Sequence, residues 1–212
     1  MPRTRARGLL SPWAKVAVFV CAAVPAVWLI GAAATDRLGA NPAESLLRGT
    51  GDWTLRLLCV TLAISPLRRG LQQPALARFR RMLGLYTFFY AVLHALAWAW
   101  LDQGFEWADM VRDIAKRPFI LVGFTAFVLL VPLAATSFNR AIRALGARRW
   151  QRLHRLVYAV AGLALLHFFW MRAGKNDDAE VAVYAALVAL LLAERSLHFF
   201  KKNAVLPAST GH

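Results

Sequence analysis

Long apolar stretches alternate with short charged ones along the 212 residues. The hydrocarbon core of a bilayer, about 30 Å thick, takes roughly 20 apolar residues as helix, and fewer when flanking residues reach outward. Six stretches fit, at 14–34, 53–67, 82–101, 117–136, 153–171 and 179–200. The second is the shortest and is expected to end at Pro66. The pattern predicts an all-α, polytopic membrane protein. Its six-transmembrane-helix bundle occupies 14–200, with a cytoplasmic N-terminus at 1–13 and a short, flexible cytoplasmic tail at 201–212. The basic start, apolar run and small residues Ala32 to Ala34 also resemble a signal peptide. That run is longer than a usual signal core and contains Trp28, so an uncleaved first helix is expected.

Composition agrees with this class. Hydrophobic residues make up 59% of the chain and charged residues 17%, against about 25% charged in soluble domains. The formal net charge of +15 would suit a nucleic-acid binder only if it formed a basic face on a polar domain. Here the charges fall between apolar blocks, so no nucleic-acid partner is expected.

Divided by side, the charge becomes a topology signal, because cytoplasmic loops are rich in Lys and Arg. The N-terminus, the loops at 68–81 and 140–155, and the C-terminus hold 18 of the 26 basic residues. The alternate loops hold seven, together with ten of the 11 acidic residues at or near them. Both termini are therefore expected in the cytoplasm of a cell with a multi-pass inner membrane protein. Cys21 and Cys59 lie inside apolar stretches and form no CxxC or CxxCH pattern, so both are expected to be small buried packing residues.

Ionisable groups inside spans are costly and usually functional. His94 falls in the outer half of the third span and His167 near the outer end of the fifth, which runs in the same direction. Two imidazoles from separate helices at one depth suit a b-type haem, whose iron takes one axial nitrogen on each face. The alternative is that each ring packs between helices and bonds a nearby carbonyl. His198 and His212 read as an interfacial helix end and a terminal residue.

His154 precedes His167 by 13 residues, about 20 Å of rise and well off the same face on a straight helix. It would serve a second site near the cytoplasmic surface. The matching position 14 residues before His94 is Arg80, so this site would be a singly ligated haem, a haem with an unusual second ligand, or a propionate or quinone contact. Arg56 would pair with Asp52 at i, i+4 or with a haem propionate. The basic residues near the inner face, Arg78, Arg80, Arg81, Arg148, Arg149 and Arg152, enforce topology, bind anionic lipid, or neutralise propionates or a flavin phosphate. Gly49, Gly51 and Thr54, read as a loop, miss GxGxxG by one position. No nucleotide-binding domain is expected after the last span, so the electron donor is another molecule.

The segments GDWTLRLLCVTLAISPLRR (51–69), RRMLGLYTFFYAVLHALAW (80–98), KRPFILVGF (116–124), RRWQRLHRLVY (148–158) and LLHFFW (165–170) resemble those of the MsrQ (YedZ) family. Its members are haem-binding membrane subunits of periplasmic methionine sulfoxide reductase systems, within the ferric reductase-like transmembrane group. The resemblance implies that His94, His154 and His167 occupy haem-linked positions. It further implies electron transfer across the bacterial inner membrane to a periplasmic molybdopterin-containing catalytic subunit that repairs oxidised proteins. The quinol pool is the implied donor, with FMN and a cytosolic flavin reductase also associated with the family. Haem b is thus the expected cofactor, one or two per chain, with FMN and quinone as further candidates. The chain itself is expected to transfer electrons without a substrate-reducing site of its own. Other readings are a stand-alone ferric or quinone reductase, and a cofactor-free transporter or scaffold.

Overall fold

The structure is a computed structural model that describes residues 8–172 and 178–204, with side chains to Leu197 apart from Asp178. The expected tail at 205–212, His212 and the side chain of His198 lie outside the described residues. Among the described residues all regular structure is helical. Helices α1 (Pro12–Ala34) and α2 (Pro42–Gly70) come first. A 3-10 helix, Pro74–Phe79, leads into α3 (Arg80–Ala97), which ends in a π-helical turn, Trp98–Asp102. Helices α4 (Trp107–Lys116), α5 (Pro118–Ala135), α6 (Asn139–Leu145) and α7 (Ala147–His154) follow. Helices α8 (Leu156–Arg172) and α9 (Asp178–Ala204) complete the fold.

Local chemistry explains the helix starts. Ser11 and Asn41 cap α1 and α2 by accepting from the backbone N–H of Trp13 and Glu44, and Pro stands in the first turn of each. Pro118 opens α5 in the same way. Gly146, at φ 73°, separates α6 from α7 in a conformation that favours glycine.

Four stretches are long and apolar enough to cross a membrane: Pro12–Ala34, Pro74–Asp102, Pro118–Ala135 and Ala147–Arg172. The remaining two long helices, α2 and α9, coincide with the second and sixth expected spans but carry more charge. Arg48, Asp52 and Arg56 lie at the start of α2 and Arg68 and Arg69 at its end. Glu194 and Arg195 interrupt the apolar run of α9. Three expectations need correction here. The second helix does not end at Pro66 but continues to Gly70, since a proline interior to a helix forfeits one hydrogen bond without ending it where packing compensates. The stretch from Gly49 to Thr54 is helical rather than a loop. His154 and His167 do not share one helix, because a turn at Arg155 divides α7 from α8.

The interior is a bundle of α2, α3, α5 and α8. Helix α2 packs most extensively on α3, and α5 on α8, with α9 lying against α8 and α2. A core of Leu55, Leu58, Leu62, Ala91, Leu130, Val160, Ala161 and Phe168 joins all four. Helix α1 touches this bundle along one stripe, Ala22, Pro25, Ala26, Leu29 and Ala32. Its remaining surface exposes Phe19, Val24, Val27 and Trp28, a larger apolar patch than water tolerates and one suited to lipid. Cys59 is buried as expected, but Cys21 is exposed because it lies off that stripe.

Tyr90, fully buried, mends a break in α1. Pro25 has no N–H and disturbs the ladder around it. The Tyr90 hydroxyl donates to the Ala22 carbonyl at 2.8 Å and accepts from the Ala26 N–H at 2.9 Å. One phenol thereby bonds both members of an i to i+4 pair, Ala22 and Ala26, beside Pro25.

Candidate cofactor site

Helices α3 and α8 sit diagonally in the bundle, each packed on α2 and α5. His94 and His167 project from this diagonal into the interior, and their ring centroids lie 6.1 Å apart with planes crossed at 74°. A metal bound by two imidazoles at about 2 Å each places the ring centroids roughly 6 Å apart. The spacing therefore suits a shared metal.

The hydrogen bonds fix which nitrogen each ring offers. His94 Nδ1 meets the Leu47 carbonyl of α2 at 3.0 Å, and His167 Nδ1 meets the Phe119 carbonyl of α5 at 2.6 Å. A carbonyl only accepts, so both rings carry the proton on Nδ1 and present the lone pair on Nε2. This is the tautomer of a metal ligand whose other nitrogen is held by a backbone carbonyl. Among the described residues no group of three or more His, Cys, Asp or Glu converges. Two imidazoles alone suit a metal whose remaining coordination positions come from its own macrocycle, as in haem. Phe119, whose ring centroid lies 6.4 Å from that of His167, is of the flat apolar kind that lines such a group.

Outside this pair lies a charged cluster. Arg172 reaches Glu180 at 2.9 Å and Asp52 at 3.6 Å, and its guanidinium lies over the Phe168 ring, 5.1 Å from the centroid. Arg56 donates through Nε to the Tyr184 hydroxyl at 3.1 Å, lies 4.0 Å from Glu180 and covers Trp53. The expected Arg56–Asp52 pair is thus replaced: Asp52 is taken by Arg172, and Arg56 turns to α9. Sequence spacing favoured the i, i+4 partner because the approach of α8 and α9 to α2 was not visible in it.

His154 stands apart. Its ring stacks on Trp150 with centroids 4.0 Å apart, and its Nε2 lies 3.1 Å from the Thr136 hydroxyl. That hydroxyl donates to the Pro132 carbonyl at 2.7 Å, so it accepts from His154, whose Nε2 carries the proton. His154 therefore shows the opposite tautomer to the other two. Arg80 is an electrostatic neighbour of His154 and its guanidinium reaches Ser65 at 3.5 Å. The structure thus brings His94 and His167 together, ties Arg56 to Tyr184 and Glu180 of α9 and leaves His154 with Arg80 at a separate place.

The ferric reductase like transmembrane component family matches residues 50–165. A curated relative from Polaromonas naphthalenivorans, named protein-methionine-sulfoxide reductase heme-binding subunit MsrQ, is 64% identical over 198 residues, covering 93% of this chain and 90% of the relative. The chain belongs to the MsrQ family. MsrQ proteins of the same printed name from Ralstonia nicotianae and Herminiimonas arsenicoxydans are 59% and 50% identical, covering 85% and 93% of this chain and 83% and 90% of theirs. No solved structure matches the chain. The segment matching the broader family takes in His94 and His154 and stops two residues before His167, so the pairing of His167 with His94 rests on the geometry of this MsrQ chain.

Several residues around the site escaped the sequence reading. Arg172 and Glu180 stand in the sequence only as loop charges, although Arg172 directly after an apolar run is a signal of a buried cation, and Asp52 is expected there as the partner of Arg56 rather than of Arg172. The carbonyls of Leu47 and Phe119 carry no signal in their own side chains.

Proposed function

We propose that this chain is a haem-binding, electron-transfer subunit of a methionine sulfoxide reductase system, in which His94 and His167 would hold one haem b. The observation that carries this reading is the matched imidazole pair, each ring fixed through Nδ1 and offering Nε2. The relatives' printed names, which describe a heme-binding subunit of a protein-methionine-sulfoxide reductase, support it.

Bound haem supplies a one-electron iron couple. The chain's own residues do the rest. The Leu47 and Phe119 carbonyls hold the two rings in the ligating tautomer and strengthen Nε2 as a donor. The apolar core around Leu55, Leu58, Val160 and Ala161 excludes water and lowers the local dielectric. Arg172, five residues after His167 on α8, and Arg56, five residues after Gly51 on α2, are cations of the kind that pair with anionic haem propionates.

The charge alternation supports six spans with both termini cytoplasmic in a bacterial inner membrane. It places the His94–His167 pair toward the periplasm, where a molybdopterin-containing subunit is the acceptor. His154 and Arg80 lie toward the cytoplasmic side, where electrons enter from quinol or reduced flavin, and FMN is a candidate there because Arg80 and its basic neighbours suit a phosphate. The test is reoxidation of the purified, reduced protein. Rapid reoxidation only when the periplasmic subunit and a methionine sulfoxide are both present supports the reading. Equal reoxidation by ferric chelates or quinones alone, with no response to that subunit, overturns it.

A further inference from the structure

The two histidines are supported by the same device, built twice. His94 on α3 lies against Gly51 of α2 and bonds the carbonyl of Leu47, four residues before that glycine. His167 on α8 lies against Gly123 of α5 and bonds the carbonyl of Phe119, again four residues before the glycine. The ligand-bearing helices form one diagonal of the bundle and the glycine-bearing helices the other.

The spacing has a physical reason. In an α-helix the carbonyl of residue i already accepts from the N–H of residue i+4, but it has a second lone pair. A helical side chain leans toward the N-terminus and covers the turn preceding its own Cα. The side chain at i+4 is therefore among those that screen the carbonyl at i. Glycine at 51 and 123 leaves the carbonyls of Leu47 and Phe119 open to a ring approaching from the neighbouring helix.

Closeness supplies the second observation. A Cβ built on Gly123 would lie 2.7 Å from His167 Nδ1 and 2.8 Å from its Cε1. One built on Gly51 would lie 3.1 Å from His94 Cε1 and 3.2 Å from its Nδ1. Gly162, on the same helix as His167, and Gly31 on α1 would meet nothing within 4 Å. Gly49 is packed as closely, but on the aliphatic end of Leu29 at 2.8 Å; among the described helical glycines, Gly51 and Gly123 are the two that lie against imidazole rings.

We propose that Gly51 and Gly123 are positioning residues: each uncovers a helix carbonyl that fixes the tautomer and orientation of a haem-ligating imidazole. This rests on the haem reading above and assigns to the two glycines a role in the strength of ligation. Gly123 is the stricter position, because its ring contact cannot absorb a methyl group without moving. At Gly51 a shift of a few tenths of an ångström suffices, so the bond to Leu47 weakens before ligation fails. The His94 bond, at 3.0 Å against 2.6 Å for His167, is also the more easily displaced of the two.

The test compares Gly51→Ala, Gly123→Ala and Gly162→Ala in the full-length purified protein, reading haem content, the low-spin ligand signature and the midpoint potential. Losing a hydrogen-bonded support of a ligating histidine costs about 10–100-fold in affinity. Gly123→Ala is expected to lose haem on that scale. Gly51→Ala keeps haem but shifts its midpoint potential upward, because a less basic imidazole stabilises the oxidised iron less. Gly162→Ala matches the wild type in all three readouts. Should Gly123→Ala fail to accumulate, the potential of Gly51→Ala still decides. Wild-type potential and haem content in Gly51→Ala and Gly123→Ala would overturn the inference, as would an equal loss in Gly162→Ala. A wild-type protein without haem would mark failure of the underlying haem reading instead.

Discussion

His94 and His167 approach across the diagonal of a four-helix core, their rings 6.1 Å apart and crossed at 74°. Neither helix packs extensively on the other. The pair is held by backbone carbonyls of the two intervening helices, so its geometry depends on the whole bundle rather than on one interface.

The stoichiometry of haem follows from the third histidine. His154 spends its Nε2 proton on Thr136 and lies flat on Trp150, and Arg80 stands where a second ligand would be needed. One haem per chain is expected. His154→Ala should therefore leave haem content and ligand signature near wild type while slowing reduction by the physiological donor. A halved haem content in that variant would show a second site.

The charge beside the pair should tune it. Arg172, five residues after His167 on α8, is held by Glu180 and lies near Asp52, so Arg172→Gln removes one positive charge and leaves two carboxylates without that partner. Oxidised iron carries the higher positive charge and gains from that change. The midpoint potential should fall, by roughly 60 mV or less, about a tenfold change in a one-electron equilibrium. An unchanged potential in redox titration would show that Arg172 serves packing only.

Stability should depend on Tyr90. Tyr90→Phe leaves the Ala22 carbonyl and Ala26 N–H beside Pro25 without their shared partner. An unsatisfied buried polar group costs about 1–3 kcal/mol. A lower thermal midpoint for the detergent-solubilised protein, with an unaltered absorption spectrum in the surviving fraction, is the expected outcome.

At the C-terminal end of α2, Arg69 chelates Glu194 through two nitrogens, at 2.8 Å and 3.2 Å to one carboxylate oxygen, and ties α2 to α9. Glu194→Gln should cost about 1 kcal/mol, the upper range for a partly exposed pair. Exchanging the two residues, Arg69→Glu with Glu194→Arg, should restore most of it in a thermal-unfolding comparison.

Much of this was legible in the sequence because a bilayer imposes a length on every apolar stretch. Five of the six expected spans lie on long helices, with α1 and α5 matching to within two residues at each end, and the fifth crosses the turn at Arg155 from α7 into α8. The histidine pair was legible through depth alone. Contacts between helices were not. Arg56 was given its near neighbour Asp52, whereas the fold offers Tyr184, 128 residues away. Cys21 was expected inside because its surroundings are apolar, yet apolar surroundings on a peripheral helix mean lipid as readily as protein. Pro66 and the glycines near Gly51 looked like breaks, and tertiary packing carries the helix through them. Gly51 and Gly123 gave no warning, since their role is to leave room for rings on other helices.

The most direct measurement is the absorption and low-temperature EPR spectrum of the purified protein beside His94→Ala and His167→Ala, with haem quantified per chain. The account predicts one low-spin haem in the wild type, with a sharp α band after reduction, and loss of that signature in both variants. A wild type without a Soret band, or either variant retaining the full low-spin signature, would contradict it.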